Sequence, residues 1–183
     1  MSYDDLVWKV TDRRHLLSTP VFNVKEQSEI SVTGIKGDYI SIDAPDWVMV
    51  IPEYKGRFIL VRQWRHSASR LSVEFPGGVA DEGEDPAETA SRELREETGF
   101  SVGRLTHLGT VSPNPALFSN RFHVYLAEDL VPTGEQSLDE DELLSCFSLP
   151  IDEVIRSFGS DKYPHALMGT ALMFYLRHRY PLS

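Results

Sequence analysis

Apolar and polar residues alternate through most of residues 4 to 43, a pattern that indicates an antiparallel sheet. Turn residues at Thr33-Gly34 and at Lys36-Gly37-Asp38 divide this stretch. Two stronger strands follow, Trp47–Pro52 and Arg57–Arg65, joined by a turn near Tyr54-Lys55-Gly56. The pattern beyond them predicts a short strand at 71–75, strands near 105–111, 122–127 and 143–149, an acidic, glycine-containing loop at 128–142, and helices at 151–158 and 165–178.

A further helix is delimited by its capping residues. Asp85 is a good N-cap, Pro86 suits the first turn, and Gly99 can adopt the left-handed conformation that ends a helix. These signals predict a helix of about 13 residues from Pro86 to Thr98. Its narrow apolar face is small enough to lie close to a sheet and consists of Ala87, Ala90 and Leu94. Helices and strands in this order predict an α+β fold.

The opposite face of that helix carries the chemistry. Glu93, Glu96 and Glu97 fall within an arc of roughly 100°. Their mutual repulsion would be relieved by a hard cation such as Mg²⁺ or Mn²⁺, which prefers oxygen ligands. Arg92 stands four residues before Glu96 and can pair with it. Gly77 and the glycine after it let backbone approach closely, so that the carbonyl of Gly77 could join the metal shell.

The alternative is a solvated acidic helix face, the usual role of a charge run. That alternative would also have to explain Gly78, Glu84, Arg92 and Gly99, which stand at the fixed positions of the Nudix box. The chain therefore resembles the Nudix hydrolases, which cleave a diphosphate linked to another group. The resemblance implies an α/β/α sandwich with a mixed sheet and makes these four residues structural members of the box. Glu84 either binds metal through water or only braces its loop.

Residues outside the box resemble the ADP-ribose and nucleoside diphosphate sugar branch of that family. Arg65 occupies the position from which that branch contacts the substrate diphosphate, with a surface salt bridge as the alternative, and Arg62 belongs to the same arginine cluster before the box. Glu74 either contacts the nucleobase or its neighbourhood, or braces the adjoining turn. Pro115, 16 residues beyond Gly99, occupies a position that marks the ADP-ribose pyrophosphatases. The surrounding Ser112-Pro113-Asn114-Pro115 departs from the usual Ser-Pro-Gly of that group, so the sequence does not select one sugar nucleotide.

The resemblance also places a general base in the acidic loop before residue 143, where Glu140 and Glu142 are the candidates. It implies metal-dependent hydrolysis of a nucleoside diphosphate sugar, such as ADP-ribose or GDP-mannose, to a nucleoside monophosphate and a sugar phosphate. A carboxylate beside metal-bound water suits this chemistry, although a solvated loop is the plain alternative. Two other functions stay open: a Nudix enzyme acting on nucleoside triphosphates or dinucleoside polyphosphates, and a sugar-nucleotide sensor without activity.

The composition limits the binding partners and the cellular location that can be expected. The 183 residues carry a net charge of −10, which disfavours a nucleic-acid surface. No apolar run is long enough to span a bilayer, and the first residues lack the pattern of a signal peptide. With Cys146 as the one cysteine, we expect a cytoplasmic protein. The histidines lack metal-ligand spacing, and His123 and His165 are predicted to be structural.

The chain is expected to divide at residue 45. Residues 1–45 would form an N-terminal β extension, and residues 46–183 would form the Nudix domain. The extension is rich in aromatic residues for its length. In the branch that the chain resembles, such an extension commonly joins two subunits and helps to bind substrate. The resemblance therefore implies a homodimer formed through the N-terminal sheet.

Overall fold

The computed structural model describes residues 3–134, 136–138 and 142–181. A short 3₁₀ helix, Tyr3–Leu6, precedes the first strand. The strands are β1 (Trp8–Ser18), β2 (Asn23–Ser31), β3 (Lys36–Asp43), β4 (Trp47–Tyr54), β5 (Arg57–Arg65), β6 (Arg70–Glu74), β7 (Phe100–Ser101), β8 (Arg104–Val111), β9 (Phe122–Glu128), β10 (Val131–Pro132) and β11 (Leu144–Pro150). The helices are α1 (Pro86–Thr98), α2 (Ile151–Ser157) and α3 (Ala166–Arg179).

The chain forms two compact units, of which the first contains the residues up to Pro45 together with Ser112–Arg121. Strands β1, β2 and β3 form an antiparallel sheet in that order, as the alternating pattern predicts. Segment 112–121 is held to the end of β3 by two backbone hydrogen bonds. The N–H of Ile42 donates to the carbonyl of Leu117 (2.7 Å), and the N–H of Ser119 donates to the carbonyl of Ile42 (3.1 Å).

One predicted turn of this unit is wrong. The chain does turn at Thr33-Gly34, but Lys36-Gly37-Asp38 lies within β3 and pairs with β2. Gly37 has a packing role instead, because a Cβ there would lie 2.6 Å from the hydroxyl oxygen of Tyr39. The glycine therefore makes room for the ring of the residue two positions later on the same face of the strand.

The second unit contains Asp46–Val111 and the chain from Phe122 onward, built around a six-stranded sheet. The order is β11-β5-β4-β9-β8, with β6 added to β5. Strands β4 and β9 are parallel and the other neighbours are antiparallel, so the sheet is mixed as predicted. The hairpin between β4 and β5 turns at Lys55-Gly56, where both residues have positive φ, as a tight two-residue turn requires.

Alternating side chains of β4 divide the core into two layers. Val48 and Val50 pack with Leu94 of α1, whereas Met49 and Ile51 pack with α2 and α3 on the other face. Ala90 and Leu94 are completely buried, which confirms the small apolar face predicted for α1. The result is the predicted α+β sandwich, helix on both faces of a mixed sheet. The described part of the chain has no helix of the length and apolarity needed to cross a membrane.

A charged cluster fixes the last turn of α3 to the sheet. Nη2 of Arg179 donates to Oε2 of Glu53 (2.7 Å) and to Oε1 of Glu128 (2.6 Å). The hydroxyl of Tyr175 also donates to Glu53. Burial is the main cause that raises the pKa of Tyr175 to about 12, and the hydrogen bond to Glu53 is the second. Glu128 is almost buried, so its carboxylate depends on a cationic partner.

We expect Arg179→Met to destabilise the protein by about 2 kcal/mol, because it leaves Glu128 without its closest cation. In a domain of this size that corresponds to a fall in Tm of about 4–8 °C. Thermal unfolding followed by circular dichroism would measure the change. Arg156→Met, at an exposed surface pair on α2, is the matched control and should leave Tm nearly unchanged. An equal fall in both variants would contradict the role given to Arg179.

Candidate active site

Helix α1 begins and ends at the residues that its capping signals predict. The side chain of Asp85 accepts a hydrogen bond from the N–H of Ala87 (2.8 Å), and Pro86 is the first helical residue. Gly99 adopts φ 69°, and its N–H donates to the carbonyl of Arg95 (2.9 Å). Because the caps fix both ends of the helix, Glu93, Glu96 and Glu97 all lie within its regular part and share one face.

Arg92 is the centre of the charged network on α1. Its Nε and Nη2 each lie 3.0 Å from an oxygen of Glu84, and Nη1 donates to Glu93 (2.9 Å) and to Glu96 (3.1 Å). The predicted pairing of Arg92 with Glu96 is confirmed. Hydrogen bonds from Arg92 lower the pKa of Glu84 to about 2. Glu84 also accepts from the N–H of Asp81 (3.0 Å), so its contacts here are those of a residue that braces the loop.

Gly77 and Gly78 bring backbone against two of the helix carboxylates. The N–H of Gly77 donates to Oε2 of Glu97 (2.9 Å). A Cβ on Gly78 would lie 2.4 Å from Oε1 of Glu93, and a Cβ on Gly77 would lie 2.2 Å from the carbonyl oxygen of Val48. The two glycines therefore serve different contacts: Gly77 lets the segment lie on β4, and Gly78 leaves space for the Glu93 carboxylate.

We expect Gly78→Ala to lower kcat/KM by about 100-fold, because a shift of about 1 Å in Glu93, a predicted metal ligand, can cost that much. Its Tm should fall only slightly, since the neighbouring group is the end of a flexible side chain. Gly77→Ala is the contrasting variant and should lose several degrees of Tm, because it clashes with backbone that cannot move aside. Steady-state kinetics and thermal unfolding of both variants would test this separation. Equal effects on both measurements would contradict it.

Glu93 and Glu97 are buried carboxylates in a shared field of negative charge. Burial raises the pKa of Glu97 to about 8. The hydrogen bond from Gly77 opposes this shift, and the charges of Glu93 and Glu142 add to it. Burial also raises the pKa of Glu93, where Arg92 opposes the shift and Glu96 and Glu142 add to it. The negative charge of Glu142, one of the two candidate bases, thus adds to the rise in the pKa of both carboxylates.

Described residues upstream of Glu142 bond to the end of α1 and to Gly99, which follows it. The N–H of Ser137 donates to the carbonyl of Glu96 (2.9 Å), and the side chain of Gln136 donates to the carbonyl of Glu97. The N–H of Thr133 donates to the carbonyl of Gly99 (2.8 Å). These bonds satisfy carbonyls that a helix terminus leaves unpaired. Glu140, the other candidate base, lies outside the described residues.

Arg65 and Glu74 form an ion pair on neighbouring strands. Nε of Arg65 donates to Oε1 of Glu74 (2.9 Å), and Nη2 donates to its other oxygen. Only 1% of the Glu74 side chain is exposed. Burial would raise the pKa of Glu74, but Arg65 and His165 outweigh it and hold the pKa well below its usual range. The hydrogen bonds to Glu74 raise the pKa of Arg65, and the charge of Glu97 adds a smaller contribution in the same direction.

A cavity of about 410 Å³ opens beside this pair. Its walls include apolar side chains of β4, β9 and α3, and the backbone of Gly77 and Gly78 forms one side. His165 and Ser72, which the sequence did not single out as site residues, also line it. Arg62 is not brought there: it lies over the ring of Phe147, with 4.9 Å between its guanidinium carbon and the ring centroid. Pro115 belongs to the first compact unit.

The donor set of the site suits a divalent cation. Glu93 and Glu97 are buried carboxylates whose pKa values are raised, so a hard cation would relieve the cost of ionising them. Within the described ranges no three His, Cys, Asp or Glu side chains already enclose an ion-sized space. The guanidinium of Arg92 donates to both Glu93 and Glu96 in this arrangement. The residues present therefore fit a metal by their chemistry, and an ion would compete with Arg92 for their oxygens.

A model of the NUDIX domain matches residues 44–167, which is more than half of the chain. The chain belongs to the Nudix family. The Nudix residues identified above, from the glycine pair to Gly99, all lie within this match. The family assignment agrees with the observed sandwich and explains why the acidic face, Arg92 and the glycines occur together.

Individual Nudix relatives extend the comparison. The chain is 33% identical over 121 residues to the ADP-ribose pyrophosphatase of Bacillus subtilis, covering 66% of this chain and 65% of that one. It is 37% identical over 95 residues to the ADP compounds hydrolase NudE of Escherichia coli, covering 52% and 50%. A crystal structure of an ADP compounds hydrolase superposes with a TM-score of 0.83 at 25% identity, covering 96% and 97%. The aligned segments thus span half to two thirds of these curated relatives.

Proposed function

We propose that this protein hydrolyses the diphosphate bond of a nucleoside diphosphate sugar, with ADP-ribose as the first candidate and GDP-mannose as another. The observation that carries the proposal is the cavity bounded by Arg65 and by Gly77-Gly78, which lie against the carboxylates of α1. Relatives named ADP-ribose pyrophosphatase and ADP compounds hydrolase support the choice of an ADP-containing substrate. ADP-ribose would yield AMP and ribose 5-phosphate.

Each acidic or basic group has a distinct proposed role. Glu93, Glu96 and Glu97, with the backbone of Gly77, would hold Mg²⁺ or Mn²⁺, which when bound supplies charge neutralisation and a more acidic water. Arg65 would contact the diphosphate oxygens, because a guanidinium matches phosphate geometry. Glu142, with Glu140 as the alternative, would accept the proton of the attacking water. The water oxygen bonds to one phosphorus, the bond between that phosphorus and the bridging oxygen breaks, and the bridging oxygen leaves with the other phosphate.

A panel of nucleotides assayed with Mg²⁺ and with Mn²⁺ would test the proposed activity. The panel contains ADP-ribose, GDP-mannose, ADP-glucose, UDP-glucose, a dinucleoside polyphosphate and nucleoside triphosphates, and a phosphatase releases phosphate from monophosphate products. Metal-dependent cleavage of the diphosphate sugars above the others would support the proposal. Cleavage of triphosphates or dinucleoside polyphosphates alone would replace it with another Nudix substrate, and binding without turnover would make the protein a sensor.

We further propose that two copies associate through the N-terminal sheet, in a cytoplasmic homodimer. Among the described residues of β1, β2 and β3, only Ser31 is buried. Apolar side chains remain exposed on both faces of this sheet: Leu17 and Ile40 lie on one face, and Val10 and Tyr39 lie on the other. A three-stranded sheet gains stability by covering an apolar face, so a second copy is a suitable cover.

Light scattering would measure the predicted effect of charges on this sheet. In the sheet register Leu17 and Ile40 fall on the same face, and Leu17→Glu/Ile40→Glu should convert a dimer into a monomer. The control is Val131→Glu/Met173→Glu, which places the same charges at exposed apolar positions outside this sheet and should stay dimeric. A parent protein that has the mass of one chain at all concentrations would contradict the homodimer.

A further inference from the structure

The cavity beside Arg65 contains polar atoms that the proposed chemistry does not use. Ser72 is 1% exposed, yet its Oγ has no hydrogen-bond partner in the described structure, and the residue lines the cavity. Ser72 and Glu74 stand two residues apart on β6, so their side chains point to the same face of the strand. A buried hydroxyl without a partner costs stability, which makes such an atom a candidate for contact with a ligand.

His165 supplies a second polar group on the same wall. It immediately precedes α3, and its Nδ1 lies 3.2 Å from Oε2 of Glu74. That nitrogen is buried and makes no hydrogen bond of regular geometry. His165 and Glu74 both line the cavity, and the carboxylate lies beside one nitrogen of the ring.

Most of the remaining lining side chains are apolar, several of them aromatic. They belong mainly to Trp47, Met49, Phe75, Phe122 and Leu167. A sugar carries hydroxyls in several directions and would leave many of them unpaired against these walls. A nucleobase has apolar faces and hydrogen-bonding atoms along its edge, which matches apolar walls with polar groups on one side.

We propose that this cavity binds the nucleobase of the substrate and that Ser72 and His165 determine base specificity. The proposal rests on the proposed function, because the cavity continues from the glycines beside Glu93 and Glu97. A nucleotide whose diphosphate lies near Arg65 and these glycines would extend its base toward Ser72. There the serine hydroxyl and the histidine ring hydrogen-bond to the base edge, while Glu74 keeps the ring in place.

Ser72→Ala gives the sharpest test, because its effects on binding and on stability should have opposite signs. Loss of one hydrogen bond to the base should weaken affinity about tenfold. Loss of an unpartnered buried hydroxyl should leave Tm unchanged or raise it slightly. A serine with a purely structural role would lower Tm and leave affinity unaffected. Ser145→Ala, an exposed strand serine outside the cavity, is the matched control.

Two matched substrate sets separate base reading from sugar reading. ADP-glucose, GDP-glucose and UDP-glucose differ in the base, whereas ADP-ribose and ADP-glucose differ in the sugar. In Ser72→Ala and His165→Leu, kcat/KM ratios within the first set should change about tenfold while the ratio within the second stays constant. A change confined to the second set, or no change in either, would overturn the proposal.

Binding of AMP without metal provides a readout that does not need turnover. Trp47 lines the cavity, so AMP should quench part of the tryptophan fluorescence. An AMP affinity, measured by this quenching, that falls about tenfold in Ser72→Ala would support base binding. It would do so even if no panel substrate were cleaved, because absence of cleavage would count only against the proposed hydrolysis. The opposite result is turnover of the panel together with an AMP affinity and a base selectivity that are the same in Ser72→Ala and in the parent. That result would overturn the base subsite and leave the proposed hydrolysis intact.

Discussion

Replacing Glu97 by Gln is expected to reduce kcat by roughly a thousandfold. Stabilisation of developing charge with the help of a metal is worth several kcal/mol, and about 1.4 kcal/mol corresponds to a factor of ten. The folded protein should tolerate the change. Glu97 is 3% exposed, Gln has almost the same shape, and its amide oxygen can still accept the hydrogen bond from Gly77. Steady-state kinetics with saturating Mg²⁺ and thermal unfolding of the metal-free protein would measure the two effects.

Glu88→Gln is the matched control, since it removes the same charge from an exposed position in the first turn of the same helix. It should retain nearly all activity. If both variants lost activity equally, the general charge of α1 rather than the position of Glu97 would be responsible. If Glu97→Gln kept its activity, the proposed ligand set would be wrong.

Arg65→Ala should have the second largest effect, on stability and activity together. The change removes the guanidinium that forms two hydrogen bonds to a buried carboxylate, so we expect a loss of about 3 kcal/mol in the free energy of unfolding. It also removes the proposed contact to the diphosphate, which should lower kcat/KM by about 100-fold. Urea unfolding and the nucleotide panel would measure the two losses.

The double variant Arg65→Met/Glu74→Leu separates these losses. Replacing a buried ion pair by apolar side chains of similar volume is often neutral, so stability should return to near that of the parent. Activity should stay low, because the proposed guanidinium contact to the diphosphate is still missing. Recovery of activity in the double variant would show that Arg65 has only a structural role.

The same ion pair should make the parent sensitive to acid. The pKa of Glu74 lies well below its ordinary value of 4.5, so the folded state binds fewer protons than the unfolded state in this range. The contribution of Glu74 to stability is therefore complete above about pH 4.5 and is lost progressively below it. The double variant lacks this contribution, and its free energy of unfolding should fall less steeply between pH 5 and pH 3.

The sequence predicted those helices and strands whose ends are determined by neighbouring residues. The bounds of α1 follow from Asp85, Pro86 and Gly99, each of which acts within one turn of the helix. Strand β5 has the predicted bounds because the turn at Lys55-Gly56 precedes it directly. The acidic face was predictable for the same reason, since the positions of side chains around a helix depend only on their spacing.

Contacts distant in sequence could not be predicted in this way. The meeting of His165 with Glu74 depends on where α3 packs, and no pattern near either residue indicates it. Strands β7 and β10 have two residues each, too few to show a period, and they exist because the chain returns to pair after β9. The packing of Gln136 and Ser137 on the end of α1 likewise depends on this return.

The segment at Ser112–Arg121 determines how the chain could be shortened. It connects β8 to β9, whose last and first residues, Val111 and Phe122, are already cross-strand partners. A chain that began at Asp46 would keep this segment but lose Ile42, to which its backbone is bonded. A better truncation removes both residues 1–45 and segment 112–121. It joins Val111 to Phe122 through a two-residue Asn-Gly turn, which suits antiparallel neighbours. Such a minimal chain would allow the chemistry of the sandwich to be measured in isolation from the N-terminal sheet.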